Sequence, residues 1–222
     1  MKKSRVLIAL AVILALAVNV CAQDEEEEEE GRWRNFEVMM FGGFGLPMGE
    51  FSDYNDSLGA KTGLNFGMSG GYFLNDRICL GGYFHYTQFG LEEPEGLDLS
   101  DMHYKMYNAG LYLKYAFTGE SNFEPYIKLS AGANFAKFAT WVGPELKRMR
   151  EVSYDPGLSS ALSAGFVYYT SEWGGLSLEA SYHFDPLQAN EGDYFGQTFA
   201  IFEDLNYLRI NAGVTVFFGP EE

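Results

Sequence analysis

The sequence predicts an all-β protein, an eight-stranded antiparallel up-and-down transmembrane β-barrel, and three observations carry that prediction. From Trp33 onward no stretch of useful length has helical character, whereas eight runs rich in Tyr, Phe, Val, Leu and Gly read as strands. Within these runs apolar and polar residues alternate with a period of two, so each strand presents one apolar and one polar face. The connections alternate between short and long, as they do in a barrel with tight turns at one end and large loops at the other.

In order, the runs cover 35–46, 64–74, 77–89, 103–117, 124–138, 157–170, 175–185 and 205–218. The first short connection is a two-residue hairpin turn at Asn75-Asp76, and the others are 118–123 and 171–174. The long ones, 47–63, 90–102, 139–156 and 186–204, are acidic or mixed and hold most of the prolines. With an even strand count both chain ends leave on the short-turn side. In the last strand Leu208, Ile210, Ala212, Val214, Val216 and Phe218 share one face, opposed by Arg209, Asn211, Gly213 and Thr215; Phe217 breaks the pattern. Residues 107–117, 127–135 and 176–184 alternate in the same way. Their apolar faces run about 9–11 residues, the length a tilted strand needs to cross the hydrocarbon layer, and several begin or end in Tyr or Phe, as an interfacial girdle requires.

Alternation alone does not say which face is inside. The N-terminus helps: Lys2, Lys3 and Arg5 precede the apolar run Val6–Val18, and Val20-Cys21-Ala22 offers a cleavage site. That is the layout of a secretory signal peptide, expected over 1–22, with a run too short for a spanning helix. An exported chain with long, regular strands carrying Lys, Glu, Asn and Ser opposite their apolar faces fits the inverted arrangement, apolar side toward lipid. The expected division is a signal peptide at 1–22, an acidic disordered tail at 23–34, the barrel at 35–218 and a short tail at 219–222.

Removing the signal takes away Cys21, leaving Cys79 alone, so no intrachain disulfide holds the fold. It also removes three basic residues, moving the net charge from −16 to −19, which argues against nucleic acid as a partner. Asp24–Glu30, seven acids in a row, reads as a solvated, self-repelling segment.

Parity places Glu37, Lys114, Lys128 and Glu179 on the polar face near the short-turn end. Eight strands leave a lumen just wide enough to be filled by side chains, and buried charges need partners. The expectation is a salt-bridge plug closing the lumen, with an ion pathway as the rival. Arg209 lies further along, with Glu203 or Asp204 as the acids that could approach it. Among the loops, 91–101 carries five acids and the fourth adds Glu191, Asp193, Glu203 and Asp204. No EF-hand spacing is present, and no cofactor or metal is expected. "KRMR" at 147–150 is placed to meet anionic lipid headgroups, with Trp141 as an interfacial anchor.

Over residues 35–218 the chain resembles the small outer-membrane β-barrel superfamily of Gram-negative bacteria, the porin-family, OmpX-like and OmpA-barrel-like domains. Asn211, Gly213, Val216 and Phe218 match the closing-strand pattern read by the barrel-assembly machinery, although "GPEE" follows Phe218. "FGGFGLPMGEF" and "GMSGGYFLNDRICLGGYF" are similar to the superfamily's opening strands. The resemblance implies an outer-membrane location, with outer-membrane lipids and, during insertion, the assembly machinery as partners. It does not imply one activity. The leading expectation is a monomeric, non-enzymatic protein with a structural or surface-interaction role. A narrow channel for small or hydrophobic solutes is the alternative, and a lipid-modifying enzyme comes third. For the last, Ser181 and His183 share a face with Asp185 next along, but i and i+2 on a strand lie about 6.6 Å apart, and no known lipid-modifying motif matches.

Overall fold

A computed structural model describes residues 34–52, 59–91, 102–117, 121–142, 148–186, 193–194, 197–198 and 204–219. The elements are β1 (Phe36–Met48), a 3-10 turn (Gly49–Ser52), β2 (Ala60–Phe73), β3 (Ile78–Leu91), β4 (His103–Ala116), β5 (Phe123–Val142), β6 (Arg148–Ser153), β7 (Gly157–Ser171), β8 (Gly174–Pro186), the short pair β9 (Asp193–Tyr194) and β10 (Gln197–Thr198), and β11 (Asp204–Phe218). Eight of these, β1–β5, β7, β8 and β11, pair antiparallel around a closed ring. Closure comes from β1 against β11, from Phe36↔Phe218 to Met48↔Asn206. No strand of the ring has an open edge within the span, the condition for a sheet in lipid.

The faces are inverted relative to a water-soluble protein. Asn65, Ser69, His85, Asn108, Ser163, Ser181 and Thr215 are buried inside, while Met40, Leu64, Phe84, Leu129, Leu176 and Val214 stand exposed on the outer wall. Phe217, the residue that broke the pattern, points inward and is buried, stacking on Tyr169 with ring centroids 5.2 Å apart. It belongs to the floor of the barrel.

Several boundaries differ from the sequence expectation. The first turn spans four residues, 74–77, rather than two: Asn75 Oδ1 accepts from the Arg77 and Ile78 amides at 3.0 and 2.8 Å, and the Leu74 amide donates to the Ile78 carbonyl. The connection between β7 and β8 is tighter than expected, two residues at 172–173. The long connection at 139–156 is largely strand. β5 runs on to Val142 and β6 returns along it, from Lys137↔Ser153 to Val142↔Arg148. Because β6 lies on the same side of β5 as β7, the two act as one strand interrupted at 154–156. "KRMR" therefore enters β6 rather than a loop, with Lys147 outside the described residues. β1 and β2 likewise reach further into the 47–63 connection, to Met48 and from Ala60.

Close approach of backbones explains some of the glycines. Gly110 and Gly132 face each other across β4 and β5. A Cβ on Gly132 would lie 2.1 Å from the Ala109 carbonyl oxygen, and one on Gly110 would lie 2.2 Å from that of Ala131. Glycine is what lets the two backbones approach this closely there.

Candidate functional site

The chemistry-bearing residues lie on one surface, the inner wall, and stack in layers from the chain-terminal end to the loop end. At the terminal mouth Arg34, just ahead of β1, turns in and is buried. Its guanidinium donates to Glu124 Oε1 at 2.8 Å, to the Tyr169 hydroxyl and to the Asp76 carbonyl at 3.0 Å. It lies over the Phe73 ring at 4.1 Å and the Phe217 ring at 5.2 Å. Glu124 also accepts from the Tyr169 hydroxyl at 3.1 Å. Arg34 thus belongs to the barrel and not to the acidic tail that the sequence reading assigned to 23–34. A cavity of about 520 Å³ opens at this mouth, lined by Arg34, Asn122, Tyr169, Thr170, Glu172 and Phe217 among others.

The next layer holds the four charges that parity placed inward. The structure pairs Lys114 with Glu37, at 1% and 2% exposure, and Lys128 with Glu179. Tyr112 donates to Glu37 Oε1 at 3.2 Å and Tyr126 to Glu179 Oε2 at 3.0 Å. The two pairs interlock, since Lys114 Nζ sits 5.0 Å from the Tyr126 ring and Lys128 Nζ 5.5 Å from the Tyr112 ring. Each carboxylate therefore has a cation and a hydroxyl, the arrangement that makes a buried ion tolerable.

Above this, Arg209 has no carboxylate in direct contact among the described residues. Its Nε donates to Ser181 Oγ at 3.3 Å and its Nη2 lies 3.4 Å from His85 Nε2. His85 stacks on Tyr83 and meets His183 edge-on, with centroids 5.6 Å apart, and His183 stacks on Tyr207. Asp185 Oδ2 accepts from Asn108 at 2.9 Å, Asn134 at 3.2 Å and Tyr207 at 3.1 Å. Among the described residues the buried charges balance: Arg34, Lys114, Lys128 and Arg209 against Glu37, Glu124, Glu179 and Asp185. Glu203 and the Asp204 side chain, the acids considered for Arg209, lie outside the described residues.

The loop end is closed by aromatics. Phe51, carried in by the 3-10 turn, packs edge-on against Phe89 at 5.1 Å and Tyr104 at 5.6 Å. Phe89 in turn meets Tyr207, and Tyr104 meets Phe138.

Ser181, His183 and Asp185 are all buried on the inner face, but they do not form a relay. The Ser181 hydroxyl is engaged by Arg209, and neither ring nitrogen of His183 has a hydrogen-bond partner among the described residues. Nucleophilic catalysis needs the base within reach of the nucleophile. His103, by parity, belongs to the outer face of β4. No group of three or more His, Cys, Asp or Glu side chains able to hold a metal occurs among the described residues. In the closing strand Asn211 is buried, Gly213 faces Phe41 in register, and Val216 and Phe218 stand on the outer wall.

Two members of the interior network escaped sequence reasoning. Glu124 begins the fifth predicted strand, 124–138, and shares the parity of Lys128, so the alternation that places Lys128 inward places Glu124 inward as well. Arg34 carries no such signal, because it lies ahead of β1 and is turned inward only by the closed mouth.

Compared with known proteins, residues 8–155 match the family described as outer membrane protein beta-barrel domain. Among solved structures, the Neisserial surface protein A aligns with a TM-score of 0.58 at 18% identity, covering 82% of this chain and 97% of that one. The outer membrane protein AlkL, solved by solid-state NMR in DMPC bilayers, aligns with a TM-score of 0.50 at 13% identity, covering 90% and 97%. Ail, the attachment invasion locus protein of Yersinia pestis, gives a TM-score of 0.47 at 18% identity, covering 82% and 99%. No curated protein matches the chain.

Proposed function

The chain belongs to the outer membrane protein beta-barrel domain family, and from that membership we propose that it is a monomeric, non-enzymatic outer-membrane barrel with a structural or surface-interaction role. The observation that carries this reading is the filled lumen. Three direct ion pairs, a balanced fourth set of charges and aromatic layers at both mouths occupy the axis where a solute path would have to run. An eight-stranded ring leaves little room beyond its own side chains. What such a barrel offers a partner is its outer wall and its loops. The engagement of Ser181 by Arg209 supports the non-enzymatic part of the reading.

Planar-bilayer recording of the purified barrel tests the proposal, and no stepwise conductance is expected. Steady openings that respond to changes in the Glu37–Lys114 pair would overturn it in favour of a narrow channel. Loss of a lipid acyl chain on overexpression, abolished by His183→Ala, would overturn the non-enzymatic part.

A further inference from the structure

The inner wall of β1 carries no side chain at Gly43 and Gly45, and polar groups converge on that bare strip from the strands to either side. On one side β11 sets Asn211 opposite Gly43 and Arg209 opposite Gly45. On the other, β2 sets Asn65 opposite Gly43, and β3 sets Thr87 opposite Asn65. The Asn211 carboxamide leans over β1, its Oδ1 2.9 Å from where a Gly43 Cβ would stand, and the Thr87 methyl lies 3.2 Å from the corresponding point at Gly45. Arg209 reaches from β11 to His85 on β3, so its guanidinium passes in front of β1 and β2, among these groups. The Phe89 ring, against Gly45, bounds the strip toward the loop end. Phe41, its ring centre 5.8 Å from the guanidinium carbon, bounds it on the other side. All four polar side chains are buried. Among the described residues Arg209 Nη1, both polar atoms of Asn65 and of Asn211, and Thr87 Oγ1 have no hydrogen-bond partner. A buried donor left unmade is costly, and more so on a charged group.

We propose that Arg209, Asn211, Asn65 and Thr87 hold one small monovalent anion, a halide, against the inner wall of β1. The donors set this chemistry. Nη1 is a charged donor that repels a cation and favours an anion. Each carboxamide can present its NH₂ group and the threonine hydroxyl can donate, so the remaining groups all serve an acceptor. No carboxylate among the described residues competes for the place. Asp185, which balances Arg209 in the count of charges, is held by Asn108, Asn134 and Tyr207. Glu179, opposite Asn211 in register, is held by Lys128 and Tyr126. The ion gives Arg209 the direct counter-charge that a buried cation needs, and the rings of Phe41 and Phe89 restrict the site to a small one. The inference deepens the reading of a filled lumen, since the ion becomes part of the filling, but it does not require the lumen to be sealed.

Equilibrium unfolding of the chain in lipid vesicles tests the site with bromide as the probe, exchanged at constant ionic strength for the larger anion gluconate. A single site present only in the folded form makes the folding constant rise with bromide, by up to about tenfold for each tenfold increase. That rise is expected for the parent. It is expected to vanish in Asn65→Asp, which offers Arg209 a carboxylate of its own, while this variant stays at least as stable as the parent in gluconate. Asn65→Leu/Asn211→Leu should lose the bromide dependence as well. Crystals grown in bromide should show an anomalous peak within about 3.5 Å of Arg209 Nη1. No bromide dependence in the parent, equal dependence in parent and Asn65→Asp, or bromide on the outer surface only would overturn the site. If neither variant refolds, the anomalous map of the parent decides alone. Stepwise conductance would overturn the sealed lumen and leave these readings untouched, because they report an equilibrium and a position rather than a barrier.

Discussion

Glu37 and Lys114 each lie within a few per cent of complete burial, with Tyr112 as the additional donor to the carboxylate. Removing one partner leaves an uncompensated charge, so Glu37→Gln is expected to destabilise the barrel by about 3–5 kcal/mol. The double change Glu37→Gln/Lys114→Met should recover most of that loss, because the charges leave together. Denaturant unfolding in lipid vesicles measures both. The glycines give a second comparison. Gly132→Ala, whose Cβ would meet a carbonyl oxygen at 2.1 Å, should cost about 1–3 kcal/mol. Gly82→Ala, with its nearest atom at 3.6 Å, should stay within about 0.5 kcal/mol of the parent. At this scale much of the interior was legible, because a strict period of two assigns a face to Glu37, Lys114, Lys128 and Glu179 without any knowledge of the fold. Their partners were not, because pairing depends on which strands oppose one another across the ring and at what height.

β4 illustrates the element scale. Its outward residues run Tyr107, Ala109, Leu111, Leu113, Tyr115, with Leu111 midway between the two aromatics and 66% exposed. In a water-soluble protein Leu111→Arg would be close to neutral; facing the middle of a bilayer it should cost about 2–4 kcal/mol. Unfolding of the variant in vesicles distinguishes the two. The β5–β6 hairpin provides the complementary case. β5 and β7 already pair from Phe123↔Tyr168 to Asn134↔Gly157, below the point where β6 takes over. Replacing residues 140–150 with a short Gly/Ser linker should therefore leave a folded barrel with unchanged heat-modifiable electrophoretic mobility. Strand positions could be read from alternation, but β6 could not. Arg148–Ser153 does not alternate between apolar and polar residues, and it becomes strand only because the far part of β5 supplies a partner.

For the whole molecule the apolar outer wall dominates behaviour. Removing the detergent from the folded protein should lead to aggregation, detected by sedimentation, whereas transfer into lipid vesicles should preserve the folded form. A chain that stayed monodisperse in plain buffer would contradict the inverted faces. The alternation of apolar and polar residues, the short and long connections and the export signature were enough to predict a closed membrane barrel, since each follows from local periodicity and from the requirement that no strand edge be left open in lipid. Only the tertiary structure decided how the lumen is closed. Arg34 folding under the barrel onto Glu124, Phe51 dropping into the loop-side mouth, and Arg209 and Asp185 sharing a layer without touching all depend on distances across the ring. Periodicity along a strand carries no information about those distances, because they are set by strand tilt, register and the volume of every other side chain competing for the same narrow axis.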